Sequence, residues 1–276
     1  MRSKYLKNRF NTSKEELKRL GSEFTTQALP SLEKLYKTTF WILPDKKSNN
    51  KIIKQVFFEA IEDCDITKNE ADWQSWIQRI WMREILDFYS EKENDRNTDF
   101  GFIDNFEVDL DKVQTIFNSD EASIIDSELL QKLPPVLRIP LMMRESAQFD
   151  YEKISDLIDV PVGVAATRIY RARKLLCLYL LNEFNYEEEK NHSSDSKSSR
   201  SIFELRKCSL MIDNEFTEDE KIIFTEVMKE NNFLRNELSI QSEVKKKLIS
   251  LTHQNIDINS IKSKIVKKAS KRFNIY

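Results

Sequence analysis

At 276 residues the chain is long enough for two or more small domains, each able to bury a core without staples. Cys64, Cys177 and Cys208 stand alone among apolar neighbours, so they offer neither a disulfide framework nor a cysteine-pair zinc site and point to a reducing, cytoplasmic setting. A net charge of -2 argues against a protein that coats nucleic acid by bulk attraction, and no apolar run approaches the ~18 residues of a membrane span.

Three glycines and six prolines leave little material for hairpins or phosphate-cradling loops, and an all-α, multi-domain chain is predicted. The first helical block covers residues 13–92. Ser13 with Glu16 fits a capping box, in which the hydroxyl accepts a free amide and the carboxylate reaches back. Leu29, Leu32, Leu35 and Tyr36 recur at helical spacing, as do Ile52, Ile53, Val56, Phe57 and Ala60. Trp73, Trp76, Ile77, Ile80, Trp81, Ile85 and Phe88 form a third apolar stripe, with Ser75, Arg79 and Arg83 on the polar side.

Residues 93–123 lose that periodicity and read as an acidic linker. From Glu91 to Glu128 twelve acids stand against three bases. The second block covers 124–186. In it Asp150 caps a short helix ending near Ile158, Asp159-Val160-Pro161 breaks it, and a longer helix restarts near Val162, which is a helix-turn-helix pattern. A serine-rich polar linker spans 187–200. The third block, 201–253, repeats the capping logic at Thr217 and Glu220, with Ile222, Ile223, Phe224, Val227 and Met228 as one apolar face. Residues 254–276 read as a basic tail, since nine bases stand against one acid between Lys245 and Arg272.

At 100° per residue, Ala165, Ile169, Ala172 and Leu176 fall together and face the core. Gly163, Thr167, Tyr170, Arg171 and Lys174 then face outward, with Arg168 and Arg173 on the flanks. Such a helix fits the major groove of B-DNA, where arginine can pair with guanine, lysine can meet phosphate, and flanking cations position the helix on the backbone.

The run Leu133-Pro134-Pro135-Val136-Leu137-Arg138, followed by Tyr151-Glu152-Lys153-Ile154-Ser155, Val160-Pro161-Val162-Gly163 and Arg168-Ile169-Tyr170-Arg171-Ala172-Arg173, resembles region 4 of sigma-70 family factors of the extracytoplasmic-function group. A weaker resemblance to region 2 covers Leu29 to Tyr89, through Gln55-Val56-Phe57 and Trp76-Ile77-Gln78-Arg79-Ile80. The resemblance implies a sigma factor that binds core RNA polymerase through its beta and beta-prime subunits and reads promoter DNA. It places the −35 contacts at Thr167, Arg168, Tyr170, Arg171, Arg173 and Lys174, and the melted −10 strand at Gln78, Arg79 and Arg83. Polymerase contact falls on Lys51, Lys54, Gln55 and Phe58. That segment carries Asn49, Asn50, Lys51 and Lys54 where the family is usually acidic.

The block 201–253 faintly resembles a small helical anti-sigma domain without its zinc ligands, because Cys208 and His253 alone cannot close a tetrahedral site. A dedicated recruiting or anti-sigma partner is expected through this region, with Lys262, Lys264, Lys267, Lys268, Lys271 and Arg272 meeting nucleic acid or an acidic surface. No metal, cofactor or catalytic residue is expected, since His192 and His253 lie outside the packed blocks and no phosphate loop is present. The competing readings are a helix-turn-helix regulator that binds DNA alone and a sigma-derived adapter that no longer melts promoters.

Overall fold

The computed structural model describes residues 13–64, 73–90, 100, 103–104, 106, 108–118, 125–181 and 202–274. The polar linker expected at 187–200 lies outside them. Among the described residues there are thirteen α-helices and no strand. The chain forms two compact units, one made of residues 1–92 with 255–276 and the other of 93–254.

The first unit begins with α1 (Lys14–Glu23), where the Ser13 hydroxyl accepts from the Glu16 amide. A π-helical turn at Phe24–Ala28 leads to α2 (Ser31–Ile42), and Asp45 caps α3 (Lys46–Glu62) by accepting from the Ser48 amide. With α4 (Trp73–Ser90) these helices bury Leu32, Leu35, Ile53, Val56, Phe57, Ile77, Trp81 and Ile85 in one core. The Trp81 indole donates to Thr39 Oγ1 at 2.7 Å, so its one polar atom is satisfied inside that core.

The second unit contains α5 (Leu110–Asn118), α6 (Ser127–Lys132), α7 (Pro135–Glu145), α8 (Tyr151–Ile158) and α9 (Val162–Leu180). It continues with α10 (Ile202–Ile212), α11 (Glu218–Glu230) and α12 (Asn232–Thr252). Local rules set these ends. Thr217 and Glu220 form a reciprocal capping box on α11, and Asn231 accepts from the Leu234 amide at the start of α12. The helix-turn-helix block and the C-terminal block, expected as separate domains, share this unit, because α9 packs against α7 and α8 and also against α10 and α12.

Two expectations change. The acidic linker is not featureless, since α5 buries Val113 and Phe117 and packs on α12. The basic tail contains α13 (Asn259–Phe273), which belongs to the first unit and packs on α1 and α3. Ile261, Ile265, Ala269 and Phe273 recur every four residues and make one buried stripe, with the Phe273 ring 5.8 Å from that of Phe24. Counting charges hid this stripe, because the lysines occupy the remaining faces.

If α13 is integral to the first unit, Phe273→Ala will destabilise it by about 3–5 kcal/mol, the usual cost of emptying a buried phenylalanine site. Lys264→Ala, on the exposed face, will stay within about 0.5 kcal/mol of the parent. Denaturant unfolding of the full chain measures both.

Candidate nucleic-acid interface

Asp150 accepts from the Lys153 amide at 2.7 Å and starts α8. Asp159 ends that helix in the left-handed region at φ 52°, where aspartate is one of the few tolerated side chains. Pro161 then stands before α9 with its ring fixing φ, and its carbonyl accepts from the Val164 and Ala165 amides. The tight turn thus sets α9 across α8. Ala165, Ile169, Ala172 and Leu176 are buried, as their spacing predicts.

The opposite face is not open. Tyr170 and Lys174, expected to point outward, are both at 0% exposure. The Tyr170 hydroxyl donates to Glu237 Oε2 and Lys174 Nζ donates to Glu237 Oε1, each at 2.8 Å. Gln241 Nε2 donates to the Tyr170 carbonyl at 3.1 Å and its Oε1 accepts from Ser209. Glu237 and Gln241 lie on α12 and Ser209 on α10, so these two helices cover the face. Leu205, Cys208, Phe224, Met228 and Leu234 complete an apolar cluster around Tyr170. Burial, with Glu237 beside it, pushes the Tyr170 phenol well above its ordinary pKa.

Arg171 is mostly buried and forms a two-pronged pair with Asp104, Nε at 2.9 Å and Nη2 at 2.6 Å. Thr167 is half-buried and donates to its own helix at Gly163. Arg168 is half-buried, and burial lowers its guanidinium pKa. Arg173, expected on the flank, is fully buried: Nε donates to Glu145 at 2.9 Å and Nη2 to both oxygens of Asp213. Asp213 also accepts from Tyr151 at 2.6 Å and Lys245 at 2.8 Å, and its carbonyl accepts from Arg144. Burial opposes its charge, yet Arg173, Arg144 and Lys245 hold the Asp213 carboxyl well below the usual carboxylate range. Arg173 is therefore placed to join α7, α9 and the end of α10, not to meet a groove.

In the first unit, Arg79 is exposed, while Arg83 donates to Glu59 and Glu84. Gln78, expected to face the single strand, is buried at 3% exposure. Lys51 and Lys54 are exposed on α3, with Gln55 and Phe58 half-buried. Lys268 of α13 lies 5.3 Å from the Phe58 ring centroid and pairs with Glu62. Lys262, Lys264, Lys267 and Lys271 are exposed, and Arg272 is half-buried.

Sequence reasoning missed Glu237, Gln241, Asp104 and Asp213. A signal was present for the first two: they interrupt the apolar stripe of Leu234, Ile240, Val244 and Leu248, where a polar residue needs a partner across the interface.

The family model for sigma-70, region 4, matches residues 127–176, which run from the start of α6 into α9. The sigma-E factor of Haemophilus influenzae, an extracytoplasmic-function RNA polymerase sigma factor, is 25% identical over 133 residues, covering 45% of this chain and 70% of the relative. The sigma-E factors of Escherichia coli K12 and Salmonella typhimurium LT2 are each 24% identical over the same shares. No solved structure matches.

Asp213→Asn will lower neutral-pH stability by about 3–5 kcal/mol, because it leaves buried cations without their carboxylate. Since the folded pKa of Asp213 is depressed, its contribution is present above the unfolded value of about 3.9 and is lost as pH falls through the folded one. Urea unfolding against pH will therefore show a shallower acid limb in the variant than in the parent.

Proposed function

We infer from the match of residues 127–176 to sigma-70 region 4, and from the similarity to sigma-E factors, that the chain is a sigma factor of the extracytoplasmic-function type that directs RNA polymerase to promoters. One observation carries this reading most directly: the span matched as region 4 contains a helix-turn-helix whose turn is fixed by Asp159 and Pro161. Core polymerase and promoter DNA are the partners this implies.

Within that role, α9 is the −35 reader. Its contact set is Thr167, Tyr170, Arg171 and Lys174, opposite the stripe of Ala165, Ile169, Ala172 and Leu176, with Arg168 on the flank; Tyr170 and Lys174, both buried against Glu237, can join it only once α10 and α12 uncover them. Arg173 leaves the set as a structural group. On α4, Arg79 is the best-placed cation for the melted −10 strand, being exposed, whereas Gln78 is sequestered and Arg83 is engaged by carboxylates. Exposed Lys51 and Lys54 remain the proposed polymerase contacts, together with Gln55 and Phe58.

Reconstitution with core polymerase on promoter DNA tests the reading through permanganate reactivity of thymines near −10. The chain should confer reactive thymines that core alone does not produce, and Arg79→Ala should reduce them severalfold while leaving polymerase binding intact. Duplex binding by the chain alone, with no strand opening on adding polymerase, would instead identify a stand-alone regulator.

A further inference from the structure

We propose that α10 and α12, together with the Asp104 carboxylate, form a built-in lock on α9, so that promoter reading requires these groups to leave it. The inference rests on α9 being the −35 reader.

The contacts are mutually exclusive with DNA. An α-helix with side chains is about 10–12 Å across and the major groove about 12 Å wide, so a helix covered on its outer face cannot enter the groove. The covering is also chemically matched. Lys174 meets Glu237, and Arg171 meets Asp104 in the two-pronged geometry that arginine uses equally for carboxylates and phosphates. The carboxylates come from outside the 127–176 segment and engage the same two cations that would otherwise be available to backbone phosphates. Tyr170 is held in the same way, by Glu237 at its hydroxyl and Gln241 at its carbonyl.

The Glu237 part of this interface is suited to release, and the Asp213 cluster of Arg173, Arg144 and Lys245 must open with it. A buried ion pair repays little of the cost of removing both charges from water, so packed apolar residues would have closed this face at least as firmly. The cations stay useful because DNA offers them replacement anions when the cover leaves. If the closed form holds 99% of the population, apparent affinity for the −35 duplex drops by about 100-fold relative to the open form.

Cys208 is a native reporter of that opening. It is buried on α10 in the cluster that includes Tyr170, with its sulfur 3.8 Å from the Leu234 carbonyl, and burial raises its thiol pKa. Cys64 is buried in the other unit and serves as an internal control. The full chain, as parent and as Glu237→Lys, is assayed with core polymerase on a labelled −35 duplex, and iodoacetamide labelling is followed separately at Cys208 and Cys64, two of its three cysteines. Glu237→Lys sets a like charge against Lys174. We expect it to bind the duplex at least tenfold more tightly and to label at Cys208 at least tenfold faster, with Cys64 unchanged. Duplex binding that is retained but no tighter than the parent's, in a variant of parental helicity, overturns the lock. Should Glu237→Lys lose helicity, the parent decides: Cys208 labelling accelerated by saturating duplex supports the lock, and unaltered labelling with duplex bound refutes it. Faster Cys208 labelling in a variant that retains no duplex leaves the cover releasable but removes α9 as the reader, so the two failures are distinct.

Discussion

Lys174 and Tyr170 sit without exposure on a helix whose other side is already packed into α7 and α8, so their polar groups need partners from elsewhere in the chain. Glu237 supplies both, one oxygen to each. The position of α12 on α9 follows, because a carboxylate with two such donors tolerates little displacement. Ser209 of α10 is then fixed through Gln241, and α11 closes over the apolar remainder with Phe224 and Met228.

A second knot lies beside the first. Arg173 holds Glu145 of α7 and Asp213 after α10 in one buried cluster, into which Arg144 and Lys245 also reach. This cluster ties the helix-turn-helix to the C-terminal helices as parts of one unit. The first unit is joined by apolar packing instead. Ile261, Ile265, Ala269 and Phe273 seat α13 on α1 and α3, and charge contributes at its edge through Lys268 and Glu62. In both units, residues beyond 200 complete a core that earlier residues begin.

What could be read from the sequence was what short-range physics decides. Ser13, Asp150 and Thr217 cap helices because a hydroxyl or carboxylate three residues before a free amide is a local arrangement. The core stripe Ala165, Ile169, Ala172 and Leu176 follows from helical periodicity alone. The outward assignment of Tyr170 and Lys174 failed because periodicity equates polar with solvated, while their partner lies more than sixty positions away. The apolar residues of α9's last turns, Leu175, Cys177 and Leu178 among them, were the available warning that the C-terminal half of this helix is buried on more than one face. In α13 the stripe was visible but outweighed by the count of lysines.

For α9 to read the −35 element it must exchange its protein cover for DNA. Nitroxide labels on Asp156→Cys in α8 and Ser250→Cys in α12, both exposed positions within the second unit, measure that exchange directly by pulsed electron spin resonance. The free chain should give one narrow distance, and binding to core polymerase with a −35 duplex should replace it with a longer, broader distribution. An unchanged narrow distance in the DNA-bound complex would show that α12 remains on α9 while the promoter is held, and would rule out the exchange.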